Sequence, residues 1–245
     1  MKDNLFGIII GVVVVAILGV AIVAGGDDSN NISPDGDGQD ILEISELDYV
    51  KGSENSELAQ EPKVTVFEYG DFQCPFCGIV YPIISEVTAE YADNPDVAFV
   101  YRHFPLPSHQ SAMVAHRAAE AAGRQGKFYE MHDILFENQT LWAGEPTSPI
   151  PPDQSDDIIR ELAEELGLNL EQYDADFADS STLTTINQQQ KTGEEIGVNS
   201  TPTFFINQTQ LEQVPRTADE LRAAIEAELE KVNSAESSGE TEDLQ

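Results

Sequence analysis

The sequence predicts an α/β domain interrupted by a helical insertion and preceded by one N-terminal transmembrane helix. Three observations carry that expectation. A β-branched and aromatic run at Val64–Tyr69 ends in Gly70, as a buried strand should. A long stretch of helical periodicity then fills the middle of the chain, and strand character returns at Thr203 before a last helix. Strands on either side of a helical block fit an α/β domain with an insertion.

Taken in order, Leu5 to Ala24 is an uncharged apolar stretch of the length that crosses a bilayer as a helix. Its Val and Ile would suit a strand, but no globular strand runs that long. Lys2 precedes it, and Asp27 and Asp28 follow, so residues 1–26 are expected to anchor the chain with the remainder outside the cytoplasm. A cleaved signal peptide is the competing reading. Ile22-Val23-Ala24 is a poor cleavage site, however, and the apolar run exceeds the usual core of such a peptide. Residues 27–60 are rich in Asp, Asn, Ser, Gly and Glu and read as a flexible acidic stalk. Ile41, Ile44, Leu47 and Val50 interrupt it as a first short element lying against the domain.

The domain is expected to begin with residues 61–104, which hold Val64–Tyr69 and a second strand at Val97–Arg102. Residues 105–197 form the helical insertion. Ser108–Ala122 carries Ala112, Ala115, Ala119 and Ala122 at helical spacing with Gly123 as a stop, and Phe128–Phe136 follows. After a Pro-rich loop at Ala143–Pro152, helices are expected at Asp156–Leu166, Leu170–Phe177 and Thr182–Ile196. Residues 198–232 complete the domain. They supply strands at Thr203–Ile206 and Leu211–Val214, and a helix from the Thr217/Glu220 capping box to about Val232. Residues 233–245 read as a disordered acidic tail.

Charge narrows the function classes. With 45 acidic against 12 basic residues, the net charge is −33. Such a field repels phosphate backbones, so nucleic-acid binding is not expected. A solvated acidic surface explains the imbalance without invoking a salty habitat.

The chemistry lies in the only two cysteines, Cys74 and Cys77. They sit too close together to form a disulfide framework. Half of a zinc site is the structural alternative, but His103, His109, His116 and His132 offer no zinc-finger spacing. These histidines read more simply as cap or core residues, and Trp142 as core or groove lining. Cys74-Pro75-Phe76-Cys77 follows a strand and opens an apolar helix. A thiol at a helix start meets unsatisfied N–H groups and the positive end of the macrodipole, which favour thiolate. Cys74 is therefore the expected nucleophile, with Cys77 one turn on as the resolving thiol. Pro75 suits the first helical turn. Glu68, six residues before Cys74 in an apolar strand, is the expected proton carrier, its acidity weakened by burial. Pro202 stands at a strand start, where proline is tolerated.

Glu68-Tyr69-Gly70-Asp71-Phe72-Gln73-Cys74-Pro75-Phe76-Cys77 resembles the active-site signature of the DsbA-like thiol–disulfide oxidoreductases of the thioredoxin superfamily. Arg102–Leu106, the segment around Gly126-Lys127-Phe128-Tyr129, and Ser200–Ile206 are similar to further segments of that family. The resemblance implies a thioredoxin-like fold with an inserted helical domain. It also implies a cis Pro202 facing the cysteines, and a substrate-binding surface made by Thr201, Pro202, Pro75 and Phe76. Thiols of exported proteins are the implied substrates. A membrane quinone-linked thiol oxidase is the recycling partner by analogy alone, and no metal or organic cofactor is implied. The strongly oxidising members carry His where this chain has Phe76, so a less oxidising pair is expected here. A disulfide isomerase or reductase using the same site, and a holdase for exported chains, are the alternative activities.

Overall fold

Alternation along the buried strands decides how the domain is layered. In the computed structural model, which describes residues 42–51 and 62–242, β1 (Val50–Lys51) is followed by β2 (Val64–Gly70), α1 (Pro75–Glu90) and β3 (Val97–His103). Then come α2 (Ala112–Gly123), α3 (Phe128–Glu137), α4 (Gln139–Ala143), β4 (Gly144–Glu145) and β5 (Ser148–Pro149). Next are α5 (Pro152–Glu165), α6 (Leu170–Ala178), α7 (Ser180–Glu195), β6 (Thr203–Ile206), β7 (Thr209–Gln210) and α8 (Ala218–Glu242). The main sheet has the order β1-β3-β2-β6-β7, with β2 and β3 parallel and the other neighbours antiparallel.

Both faces of the sheet's central strands are covered, so β2, β3 and β6 are buried along their whole length. Val64, Val66, Val97, Phe99, Phe204 and Ile206 share one cluster with Val80, Ile84 and Val87 of α1 and Leu221 and Ile225 of α8. Phe67, Tyr69, Val100 and Phe205 leave the opposite face and pack with Phe104, Val198 and Leu42. A third cluster joins Phe72, both cysteines and Tyr101 to the helices between β3 and β6. Fully buried Trp142 lies in it, its indole N–H donating to the Leu135 carbonyl at 2.8 Å.

The helices start and stop close to the sequence-based boundaries, and local chemistry explains the shifts. α5 begins four residues early because Pro152 occupies its first turn, where the missing N–H is unneeded. α2 begins four residues late, after the turn at His109–Ser111. Gly167 and Gly197 follow α5 and α7 with φ of 72° and 89°, conformations that other residues adopt only with strain. The Pro-rich loop contains α4's last residue and the two-stranded ribbon β4–β5.

Two expectations are corrected. Leu211–Val214 is not a strand: the hairpin closes one step earlier, pairing Ile206 with Thr209 and Phe205 with Gln210, while Asn207 turns the chain at φ 51°. Leu211 and Val214 still pack on the core. The last helix also passes Val232 and reaches Glu242, through the stretch expected to be a tail. No proline interrupts it, and the Lys63 ammonium holds Asn233 and Glu236 at 2.7 and 2.9 Å. At its start the Thr217 hydroxyl accepts the Glu220 N–H at 3.2 Å, and the Glu220 carboxylate reaches back to the Arg216 N–H at 2.7 Å.

The short N-terminal element is tied down by charge. Arg102 grips Asp48 through two hydrogen bonds of 3.0 and 2.8 Å and also donates to the Glu43 carbonyl. Both side chains are almost wholly buried. Removing one partner strands the other charge, so Asp48→Ala is expected to cost about 3 kcal/mol in urea unfolding. Among the described residues no helix is long and apolar enough to cross a membrane. The Leu5–Ala24 segment and most of the stalk lie outside those residues.

Candidate active site

Strand β2 delivers the chain to the site, and the residues after it form the turn that starts α1. Cys74 is the N-cap residue, with extended backbone (φ −67°, ψ 119°) and Pro75 in the first turn. The turn closes when the Cys74 N–H donates to the Asp71 carbonyl at 3.0 Å. Both cysteines are free and buried, Cys77 almost fully. Opposite them, the Thr201–Pro202 bond is cis, and the Thr201 carbonyl oxygen lies 3.5 Å from Cys74 Sγ. β6 begins at the next residue, so the sheet itself fixes that loop against the cysteines.

This geometry separates the two sulfurs chemically. Hydrogen bonding from the Cys77 thiol brings Cys74 down to about 6, against the opposing effect of burial. The contact with Thr201 and the N–H groups of Cys77 and Phe76 help. Cys77 moves the other way: burial and the neighbouring Cys74 push it well above the ordinary thiol range. Sequence reasoning assigned the acidity of Cys74 to the helix start, whereas the larger influence is the second thiol.

Glu68 is buried on β2, pushed up to about 8 by burial first and the Cys74 charge second. It leaves the same sheet face as Val66, towards α1, because strand residues two apart share a face. Its neighbours in register are Tyr101 on β3 and Phe204 on β6.

Several residues at the site were not singled out from the sequence. The Asp71 carboxylate, fully buried, accepts hydrogen bonds from the backbone N–H groups of Gln73 and Leu106, both at 2.7 Å, and sits 2.8 Å from His109 Nδ1. That bond raises His109, and the Cys74 charge adds to it. Behind this, His103 Nδ1 and His116 Nδ1 are 2.6 Å apart, and His103 Nε2 is 2.9 Å from Glu120. The core role expected for His103 and His116 thus takes the form of a buried polar chain, with His116 Nε2 3.9 Å from the Asp71 carboxylate. Gln139 completes the frame by donating to the Phe72 and Cys74 carbonyls at 2.7 and 2.9 Å. Gly78 makes room for it, since a Cβ there would lie 2.6 Å from Gln139 Oε1. Gly70 and Gly78, flanking the cysteines, were the available sequence signal for these close approaches.

Outside the cysteines, Pro75 is exposed and Phe76 is 42% exposed, while Ile79 and Leu141 are the most exposed large apolar side chains nearby. A groove of about 630 Å³ adjoins them, with Gln73, Pro75, Ile79, His109 and Gln139 in its walls.

The sequence model of the family described as Thioredoxin matches residues 59–227. The chain belongs to the thioredoxin family. A thioredoxin-like oxidoreductase from Silicibacter pomeroyi DSS-3 superposes on this thioredoxin-family protein with a TM-score of 0.61 and 25% identity, covering 78% of this chain and 96% of that one. Wolbachia pipientis alpha-DsbA1 shares the fold at a TM-score of 0.65 and 16% identity, covering 80% and 97%. The Na(+)/H(+) antiporter NhaA 1 of Salinispora arenicola is 38% identical over 161 residues, which is 65% of this chain and 22% of that protein. This thioredoxin-family chain therefore spans about a fifth of the length of the curated relatives it matches. The overlap marks a shared module and carries no transport activity over.

Proposed function

We propose that this DsbA-like protein is a membrane-anchored, extracytoplasmic oxidase that introduces disulfides into exported proteins through Cys74 and Cys77. The observation that carries the reading is the cysteine pair itself: Cys74 at the N-cap of α1, assisted by the Cys77 thiol and facing the Thr201 carbonyl. In the oxidised form, a substrate thiolate attacks Cys74 and the Cys74–Cys77 bond breaks. Cys77 leaves with the electron pair and takes a proton supplied by Glu68. A second substrate thiolate then attacks the mixed disulfide, and Cys74 leaves as its stable thiolate. Thr201 and Pro202 provide the edge where an extended substrate segment lies, with Pro75 and Phe76 beside it. The helices between β3 and β6 act as the inserted domain that frames the groove. Leu5–Ala24 is the anchor, and a quinone-linked thiol oxidase of the membrane reoxidises the pair. No metal or organic cofactor takes part in this scheme.

The test is oxidation of a fluorescent dithiol peptide by the oxidised protein, followed by a glutathione equilibrium titration. Phe76 puts no cation beside the Cys74 thiolate, so the pair should lie below the oxidising limit of about −120 mV in the superfamily. Phe76→His should raise the potential by about 30 mV, equivalent to about 1.4 kcal/mol for two electrons. A wild-type potential already at that limit contradicts the Phe76 argument. A protein that reduces such peptides but never oxidises them is instead a reductase. Protection of unfolded chains that survives Cys74→Ala would mark a holdase.

A further inference from the structure

Tyr101 is a large side chain in an awkward place. It is 3% exposed, and its hydroxyl has no hydrogen-bond partner among the described residues. A buried donor left unmatched costs free energy, and a phenylalanine would avoid that cost in the same volume. The surroundings are nevertheless shaped to admit the ring. A Cβ on Gly70 would meet Tyr101 Cε2 at less than contact distance and its hydroxyl at 2.9 Å, so glycine is needed there. Phe72 stacks on the ring with centroids 4.8 Å apart.

The position of the ring explains why a hydroxyl would be worth keeping. Parallel pairing sets Tyr101 opposite Glu68, so both side chains leave the sheet on the α1 side. They line one cavity of about 30 Å³, room for one or two bridging waters. Its walls also include Tyr81 and His132, and its outer end is the Lys51–Asp133 ion pair, whose side chains are 27% and 29% exposed. On its inner side Tyr101 belongs to the same buried cluster as Cys77. The groups whose charge acts on the phenol are Cys77 foremost, then Glu68, Asp71 and Cys74. His132 and His103 meet its ring with centroids at 4.9 and 5.8 Å, and its backbone N–H donates to the Tyr129 hydroxyl.

We propose that Tyr101 is a proton-relay residue joining Glu68 to Cys77. As Cys77 leaves the disulfide, the proton of the Tyr101 hydroxyl passes to its sulfur while that oxygen receives one from the Glu68 carboxyl, each transfer carried by a bridging water because the hydroxyl hydrogen-bonds neither group directly. Charge and protons balance: the carboxyl becomes a carboxylate, the phenol is restored, and Cys77 ends as a thiol. In reverse, the same path empties Cys77 of its proton. This rests on the proton-carrier role given to Glu68 above.

Tyr101→Phe tests it, since only the hydroxyl is removed. Stopped-flow reaction of the oxidised variant with a dithiol peptide, from pH 5 to 9, should show formation of the mixed disulfide slowed by about a hundredfold, the lower end of what positioned proton transfer contributes. The ascending and descending limbs of the pH profile should flatten, and the solvent isotope effect should change. The thiolate absorbance titration of Cys74 should stay in place. Glu68→Gln should slow the same step, and the double variant should be no slower than the slower single one. A Tyr101→Phe protein that is more thermostable, with unaltered rate and pH profile, overturns the relay and leaves an unsatisfied hydroxyl with a packing role only. Should Glu68→Gln also leave the rate unaltered, the carrier role of Glu68 falls with it. A slow Glu68→Gln beside a wild-type-like Tyr101→Phe removes Tyr101 alone.

Discussion

Cys74→Ala is expected to abolish protein-dependent oxidation of dithiol peptides, leaving the uncatalysed rate. Cys77→Ala should permit the first exchange and stall there. The asymmetry follows from the two environments. Cys74 can contact the Thr201 edge and ionises at about 6, whereas Cys77 is almost completely buried and held protonated. A substrate bound to Cys74 in the Cys77 variant has no internal thiol to displace it. Gel electrophoresis under non-reducing conditions should thus show mixed disulfides with Cys77→Ala and none with Cys74→Ala. The attack of reduced Cys77→Ala on a disulfide reagent should follow the Cys74 thiolate. Loss of the Cys77 hydrogen bond should move its midpoint upward from about 6, towards the range of an ordinary thiol. Equal trapping by both single variants would refute the assignment of nucleophile and resolving thiol.

The second large effect concerns stability. Glu68 ionises at about 8 when folded and at 4.5 as an ordinary carboxyl. The folded state therefore binds the extra proton between those limits, and stability falls as pH rises through that window. At about 1.4 kcal/mol per pH unit, the loss is about 5 kcal/mol. Cys74 acts with the opposite sign. It ionises at about 6 when folded against 9.0 as an ordinary thiol, so its stabilisation is present above pH 9 and is lost as pH falls to 6, amounting to about 4 kcal/mol. From these two groups together, stability falls from pH 4.5 to 6, changes little from 6 to 8 where their slopes oppose, and recovers between 8 and 9, while the lowered His116 and His132 add an opposing rise on the acid side. Glu68→Gln deletes the first slope. Its stability relative to the parent should therefore rise by about 5 kcal/mol between pH 4.5 and 8, read from urea unfolding of both reduced proteins. A constant difference across that range would show that Glu68 is not held protonated by the fold.

The strands at Val64–Gly70, Val97–His103 and Thr203–Ile206 were legible because each combines β-branched or aromatic residues with a clear stop. Cys74 and Cys77 were legible because a helix start following a strand has a definite effect on a thiol. The false strand at Leu211–Val214 rested on two apolar residues separated by Glu212 and Gln213. There the apolar residues mark burial, and a two-residue hairpin had already consumed the pairing partners. Asp71 escaped because an aspartate in a loop reads as a solvated turn, and His109, its partner, was read only as a cap or core residue. Only packing reveals that its carboxylate is closed off by two N–H groups and an imidazole.

The sequence by itself determined the reactive pair and the strand that feeds it, since both depend on residues within a few positions of one another, whereas the place of Pro202 across from them came only from the family resemblance. The tertiary structure alone decided which sulfur assists which, and that Glu68 has Tyr101 as its register neighbour. It also decided that Gln139 and the histidines brace the loop from the helical side. The physical reason is that periodicity tells which face of an element is apolar but not which distant element will cover it. Burial and charge coupling, and with them the acidity of every group at this site, are properties of that covering.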